Sequence, residues 1–138
     1  MDTEKFVHIR ELQDSVAINV SIMEQFSQYR DSEVVRRSHF FAGRYENLYL
    51  DLVHVPAMQS VLQQAKQFAK EILGLNVTLK VGFWFNLMQP GQMTQEHTHD
   101  DDDECLSAVY YIDVPEKAGD LLVTTPTEKL RISPQAGQ

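Results

Sequence analysis

One cysteine, Cys105, is all the chain has, which excludes an internal disulfide and a thiolate-rich zinc cluster. Cations are scarce as well. Twelve Lys and Arg stand against twenty Asp and Glu, giving a formal charge of −8, and Arg36-Arg37 is the only adjacent basic pair. A duplex-binding surface needs clustered cations that displace counterions, so no nucleic-acid partner is expected. There is no run of about 18 apolar residues and no leader-like N-terminus, so no membrane partner is expected either. The chain reads as a soluble protein of a reducing, cytoplasmic compartment. Internal repeats are absent, and the one low-complexity stretch is Asp100-Asp-Asp-Asp103. What is there suits a core: 43% of the 138 residues are hydrophobic and 23% charged, a make-up that fits one domain over 1–138.

The first half carries helical periodicity. Leu12, Val16, Val20, Met23 and Phe26 recur at spacings of three and four, which predicts a helix over 11–29 with these residues on its buried side. Asp31-Ser32 and Gly43 are expected breaks, and Tyr45–Leu50 a short extended segment. A second helix is expected to start after Pro56. It carries Val61, Leu62, Ala65, Phe68, Ala69, Ile72 and Leu73 and stops at Gly74, which suits a left-handed cap.

From residue 75 the pattern turns to strand-like runs punctuated by Gly and Pro. Strands are expected at 77–87, 94–99, 105–113, 119–124 and 129–132, with turns at Gln89-Pro-Gly-Gln92 and Lys117-Ala-Gly-Asp120. The expected layout is therefore a mainly helical part, 1–74, followed by a β-rich part, 75–138.

Residues 96–104 read Glu-His-Thr-His-Asp-Asp-Asp-Asp-Glu, which crowds two imidazoles and six carboxylates into nine positions. Side chains two apart on a strand share a face, so His97 with His99, or His99 with Asp101, can chelate one ion. Two imidazoles and one carboxylate suit non-haem Fe(II), Mn or Zn and leave coordination positions open. The plainer reading is a solvated acidic loop beside a chance His-x-His pair. A weak calcium site is a further alternative that would need ordered oxygen ligands and a sharp turn, and no calcium-loop spacing of the helix–loop–helix kind is present.

In order, the chain carries Phe83-Trp-Phe-Asn86, Gln89-Pro-Gly91, His97-Thr-His99 with its acidic tail, Leu106-Ser-Ala-Val-Tyr-Tyr-Ile112, Pro115, and Ala118-Gly-Asp-Leu121. This series resembles the 2-oxoglutarate-Fe(II) oxygenase family over roughly 83–137. The upstream Phe41-x-Gly-Arg-Tyr-Glu-Asn47 is similar to that family too. The resemblance implies an α+β fold, with N-terminal helices packed on a partial double-stranded β-helix, a jelly-roll or cupin-like barrel.

It also implies Fe(II) and 2-oxoglutarate as cofactors, and a dioxygenase that couples decarboxylation of 2-oxoglutarate to hydroxylation of an unidentified small-molecule or peptide substrate. The metal candidates are His97, His99 and Asp101, with the partner of His99 left open between the other two. Tyr111 matches a position that hydrogen-bonds a cosubstrate carboxylate in relatives, while Tyr110 would face the other way. Asn86 is a candidate inward polar contact and Trp84 a packing residue. Ala108 stands where the family commonly has Gly, a departure that adds a methyl group near the site.

His8, His39 and His54 lie outside the motif, and His54, between two valines, reads as packing. Cys105 reads as a small buried apolar residue, with no partner set for a nucleophile. Relatives continue past the Pro134-Gln-Ala-Gly137 match into strands bearing a distal His and a basic cosubstrate anchor. Here no His follows His99, and Arg131 does not match the basic position. The expectation is thus a chain that stops short of a complete site, inactive or feeble as it stands. Unpaired strand edges predict a homo-oligomer. The competing expectation is a non-catalytic, cupin-like binding or assembly module, and a third is metal-dependent isomerase or hydrolase chemistry that ignores 2-oxoglutarate.

Overall fold

The computed structural model describes residues 7–74, 76–99 and 104–138. The order of elements is helix α1 (Ser15–Tyr29), strands β1 (Arg36–Phe41) and β2 (Arg44–Tyr49), helix α2 (Met58–Leu73), then β3 (Leu121–Thr124) and β4 (Lys129–Ile132). The protein is α+β, with two antiparallel hairpins, β1–β2 and β3–β4. Among the described residues the strands close no barrel.

Helix α1 starts later than its apolar spacing suggests because the preceding backbone is engaged elsewhere. Leu12 N–H donates to the Gly137 carbonyl at 2.8 Å, and Gln13 N–H to the Gln64 side chain of α2 at 2.9 Å. The buried face matches the expected one at Leu12 and Phe26 and differs between them. Ser15, Asn19, Ile22 and Phe26 face inward, while Val16, Val20 and Met23 are 81%, 55% and 39% exposed. Hydrophobicity alone misplaces the middle of the stripe, because Asn19 is buried with a hydrogen-bond partner and Ser15 beneath a glycine. Tyr110 Oη donates to Asn19 Oδ1 at 2.6 Å, and Ser15 packs beneath Gly137. A satisfied amide is cheap to bury, so apolar content ceases to determine the facing. Accordingly Ile22→Ala should destabilise the fold by roughly 2–5 kcal/mol. Val16→Ala should change it by less than about 0.5 kcal/mol. Urea unfolding of the two variants distinguishes this facing from the expected one, which reverses the order.

Helix α2 follows its sequence signals closely. Pro56 precedes it, and Gly74 closes it at φ 65°, donating to the Lys70 carbonyl. The helices are tied by Ala57 N–H, which donates to the Gln25 side chain at 2.9 Å. Met58 and Val61 join Leu12, Ile22, Phe26, Val35, Leu50, Val55 and Phe85 in one core.

Between the helices the chain forms a hairpin where the sequence showed mainly a break. Gly43 does interrupt the chain, as the second residue of a two-residue turn whose central positions, Ala42 and Gly43, have φ 51° and 84°. Positive φ at both positions is the turn whose twist matches paired strands, so the breaker joins two strands. Beyond α2, 119–124 and 129–132 form β3 and β4 within the expected bounds. By contrast 77–87, 94–99 and 105–113 do not form ladders among the described residues. They make isolated pairings: Leu48 with Phe85, and Tyr111 with Gly137 and Gln138. Several of their apolar side chains, among them Val77, Val81, Trp84, Leu106 and Val109, are exposed. Alternation reports a preference for extended backbone, whereas a ladder also needs a neighbour in register. Cys105, expected to be buried in such a strand, is exposed for the same reason.

Candidate metal centre

Strand β2 supports the segment that bears the histidines. Arg44 and Glu46 are two apart and so project to one face. The Arg44 guanidinium donates to Asn86 Oδ1 at 2.9 Å, Thr94 Oγ1 at 3.1 Å and the Met93 carbonyl at 3.3 Å. The buried Glu46 carboxylate accepts from Gln95 N–H at 2.8 Å. Residues 86–95 are thereby braced against a strand that itself pairs with Phe85, at the edge of the core.

From that braced segment the chain leads directly to the imidazoles. His97 Nδ1 lies 2.8 Å from the Gln95 carbonyl oxygen, and His99 Nδ1 lies 3.2 Å from Glu104 Oε2. A carbonyl can only accept, and an ionised carboxylate likewise, so each Nδ1 carries its hydrogen, and in a neutral ring the Nε2 then presents a lone pair. These two Nε2 atoms are 3.0 Å apart, with ring centroids 4.7 Å apart at 75°. Two lone pairs held that close repel unless a proton or a metal cation is shared between them. Nitrogen ligands with bonds of roughly 2.1 Å at right angles sit about 3.0 Å apart, the separation seen here. The donor set therefore fits an ion in two adjacent coordination positions. The outer partners, a carbonyl and a carboxylate on the remote ring nitrogens, are those that orient metal-binding imidazoles and raise their basicity.

The other candidates are distributed as follows. Asp101 lies outside the described residues, as does the rest of Asp100–Asp103. Among the described residues no set of three His, Cys, Asp or Glu side chains converges as a metal cluster. Asn86 is exposed, and its carboxamide is engaged twice, accepting from Arg44 and donating to Thr94 Oγ1 at 3.1 Å. Tyr111 is half-buried, and desolvation raises its phenol above the usual tyrosine range. Trp84 is 44% exposed and packs obliquely on Tyr49 at 6.3 Å. His54 stands edge-on to Tyr29 at 4.8 Å, a packing role.

Glu104, Glu46 and the Gln95 carbonyl are the supporting groups that the motif did not single out. Glu104 is five residues from His99, a spacing that no strand or helix rule pairs. Glu46 could have been suspected only from its place in Arg44-Tyr-Glu-Asn47.

Tyr110 faces α1, opposite in role to Tyr111. Burial raises its phenol above the ordinary value, so the neutral form is favoured in the folded state. The stability this contributes is present below the unfolded pKa of about 10 and is lost as pH rises through the folded value. Tyr110→Phe should lower stability near neutrality by about 1–3 kcal/mol, because Asn19 Oδ1 loses its donor, and should flatten the decline above pH 10. Chemical denaturation at a series of alkaline pH values measures both effects.

Residues 82–137 match the protein-family model described as "Putative 2OG-Fe(II) oxygenase". No curated protein and no solved structure matches the chain. Among the described residues no helix is long and apolar enough to cross a membrane.

Proposed function

Because residues 82–137 carry the pattern of the 2OG-Fe(II) oxygenases, we propose that this stretch is the metal-binding part of an Fe(II)- and 2-oxoglutarate-dependent dioxygenase on a double-stranded β-helix. The observation that carries the reading is the approach of His97 Nε2 and His99 Nε2 to 3.0 Å, each ring held from behind by an acceptor. When bound, the iron and the 2-oxoglutarate supply the oxidising chemistry for hydroxylation, as cofactors do on many scaffolds.

The chain's own residues bind and orient. His97 and His99 provide nitrogen donors. Glu104 and the Gln95 carbonyl fix their tautomers and ring planes, and Asp101 is proposed as the carboxylate ligand of the His-x-acid alternative. Tyr111 is the proposed hydrogen-bond donor to a cosubstrate carboxylate, a role that its neutral, half-buried phenol supports. Asn86 is proposed as a second polar contact through the carboxamide hydrogen not given to Thr94.

Anaerobic titration tests this. Fe(II) should bind with a saturable heat, and 2-oxoglutarate added afterwards should bring up the weak visible charge-transfer band of an iron chelate. An ion that binds without that band would favour the isomerase or hydrolase alternative. If neither binds, the oxygenase reading fails and a cupin-like binding module remains. One observation favours that second reading: His97 and His99 are exposed rather than enclosed.

A further inference from the structure

We propose that the cleft between the end of α1, the β1–β2 hairpin and the Gln89–Gln92 turn is a binding site for a small oxyanion, either a phosphoryl or a carboxylate group. The cleft has a volume of about 240 Å³, and its lining includes Arg30, Arg37 and Arg44 with Tyr45 and Gln92. Three arginines in the lining of one small space are a local excess of positive charge in a chain whose formal charge is −8.

That charge is hardly neutralised from within. Arg37 donates to the carbonyls of Val35 and Arg30 at 3.1 and 3.0 Å. Arg44 donates to the neutral oxygens of Asn86, Thr94 and Met93. These bonds orient two guanidiniums without cancelling their charge. The carboxylate in the lining, Asp31, stands 3.8 Å from Arg30 and is 91% exposed, a weak, solvated pairing.

Arg44 also has a group left over. Its Nε is buried with no hydrogen-bond partner among the described residues. A buried, unpartnered N–H on a cation is costly, and an anion lying against it supplies both the missing acceptor and the missing charge. The terminal nitrogen on the same guanidinium edge already gives both its hydrogens to Thr94 Oγ1 and the Met93 carbonyl, so Arg44 offers one oxygen of a phosphoryl or carboxylate group its Nε–H alone. The Gln92 side chain has its oxygen occupied by Gln89 N–H at 2.7 Å, so the part it can offer an incoming anion is its amide N–H. Neither His97 nor His99 lines the cleft, so this inference stands apart from the metal reading.

The test uses the full chain, with the arginine Nε–H resonances followed by proton–nitrogen correlation spectra. Sodium phosphate and sodium glutarate are titrated separately, each against sodium chloride at matched ionic strength. The Arg44 Nε–H signal should shift saturably with at least one oxyanion and not with chloride. Tighter binding of phosphate assigns a phosphoryl ligand, and tighter binding of glutarate a carboxylate. Arg30→Gln removes one cation while leaving the guanidinium bonds of Arg37 and Arg44 in place. It should weaken that binding about tenfold with an unchanged thermal midpoint. A response no different from chloride, or unaltered affinity in Arg30→Gln, overturns the proposal.

Discussion

His99→Ala is expected to lower Fe(II) affinity at least 100-fold, the largest functional effect of any single substitution in this chain. Losing an outer hydrogen-bond partner of a metal-bound imidazole typically costs about 10–100-fold, and losing the imidazole itself costs more. His99 belongs to both candidate ligand pairs, His97 with His99 and His99 with Asp101. The companion variants then decide between them. If His97→Ala falls as far as His99→Ala while Asp101→Ala stays near wild type, the histidine pair is the chelate. The opposite order makes it His99 with Asp101. Glu104→Gln keeps an acceptor near His99 Nδ1 but loses the charge, and should cost about tenfold. Anaerobic calorimetry measures all four variants. Wild-type affinity in His99→Ala would remove the metal centre altogether.

Gly137→Ala is expected to cost roughly 2–4 kcal/mol, the largest stability effect of a one-methyl change in the chain. Two penalties combine at this position. Its φ of 93° is a backbone state that residues with a Cβ rarely adopt. The new Cβ would also lie 2.6 Å from Ser15 Oγ and 2.9 Å from Ser15 Cβ. The hydroxyl can rotate aside, but Ser15 Cβ belongs to the first turn of α1 and cannot. Backing off would break the bonds that hold this segment, from Leu12 N–H to the Gly137 carbonyl and from Gly137 N–H to the Tyr111 carbonyl, both 2.8 Å. Gly74→Ala serves as the control, because Gly74 also has positive φ, 65°, but open space around its Cα. It should cost only about 1 kcal/mol. Equal losses in the two variants, measured by urea unfolding, would show that close packing on Ser15 contributes nothing.

The parts of the molecule that could be read from the residues are those whose signals are local. Pro56 and Gly74 delimit α2 because a fixed φ suits a helix start and a left-handed cap a helix end, whatever lies nearby. Strands β3 and β4 came from two short apolar runs, again a local pattern, and their pairing from the structure. The spacing of His97 and His99 placed two imidazoles within reach of each other, and the ordered series from Phe83 to Leu121 lies in the stretch, 82–137, that matches the 2OG-Fe(II) oxygenase family model.

Only the tertiary structure decided which side of α1 is buried, because Asn19 and Ser15 become tolerable inside once Tyr110 and Gly137, far along the chain, come to meet them. It likewise decided that Arg36–Phe41 is a strand, that 105–113 lacks a ladder among the described residues, and that Glu104 and the Gln95 carbonyl hold the imidazole tautomers. Each of these depends on a partner distant in sequence or on a spacing without periodicity. A residue's preference can be read from its neighbours in the chain, whereas the satisfaction of a buried polar group or a strand edge depends on what packs against it in space.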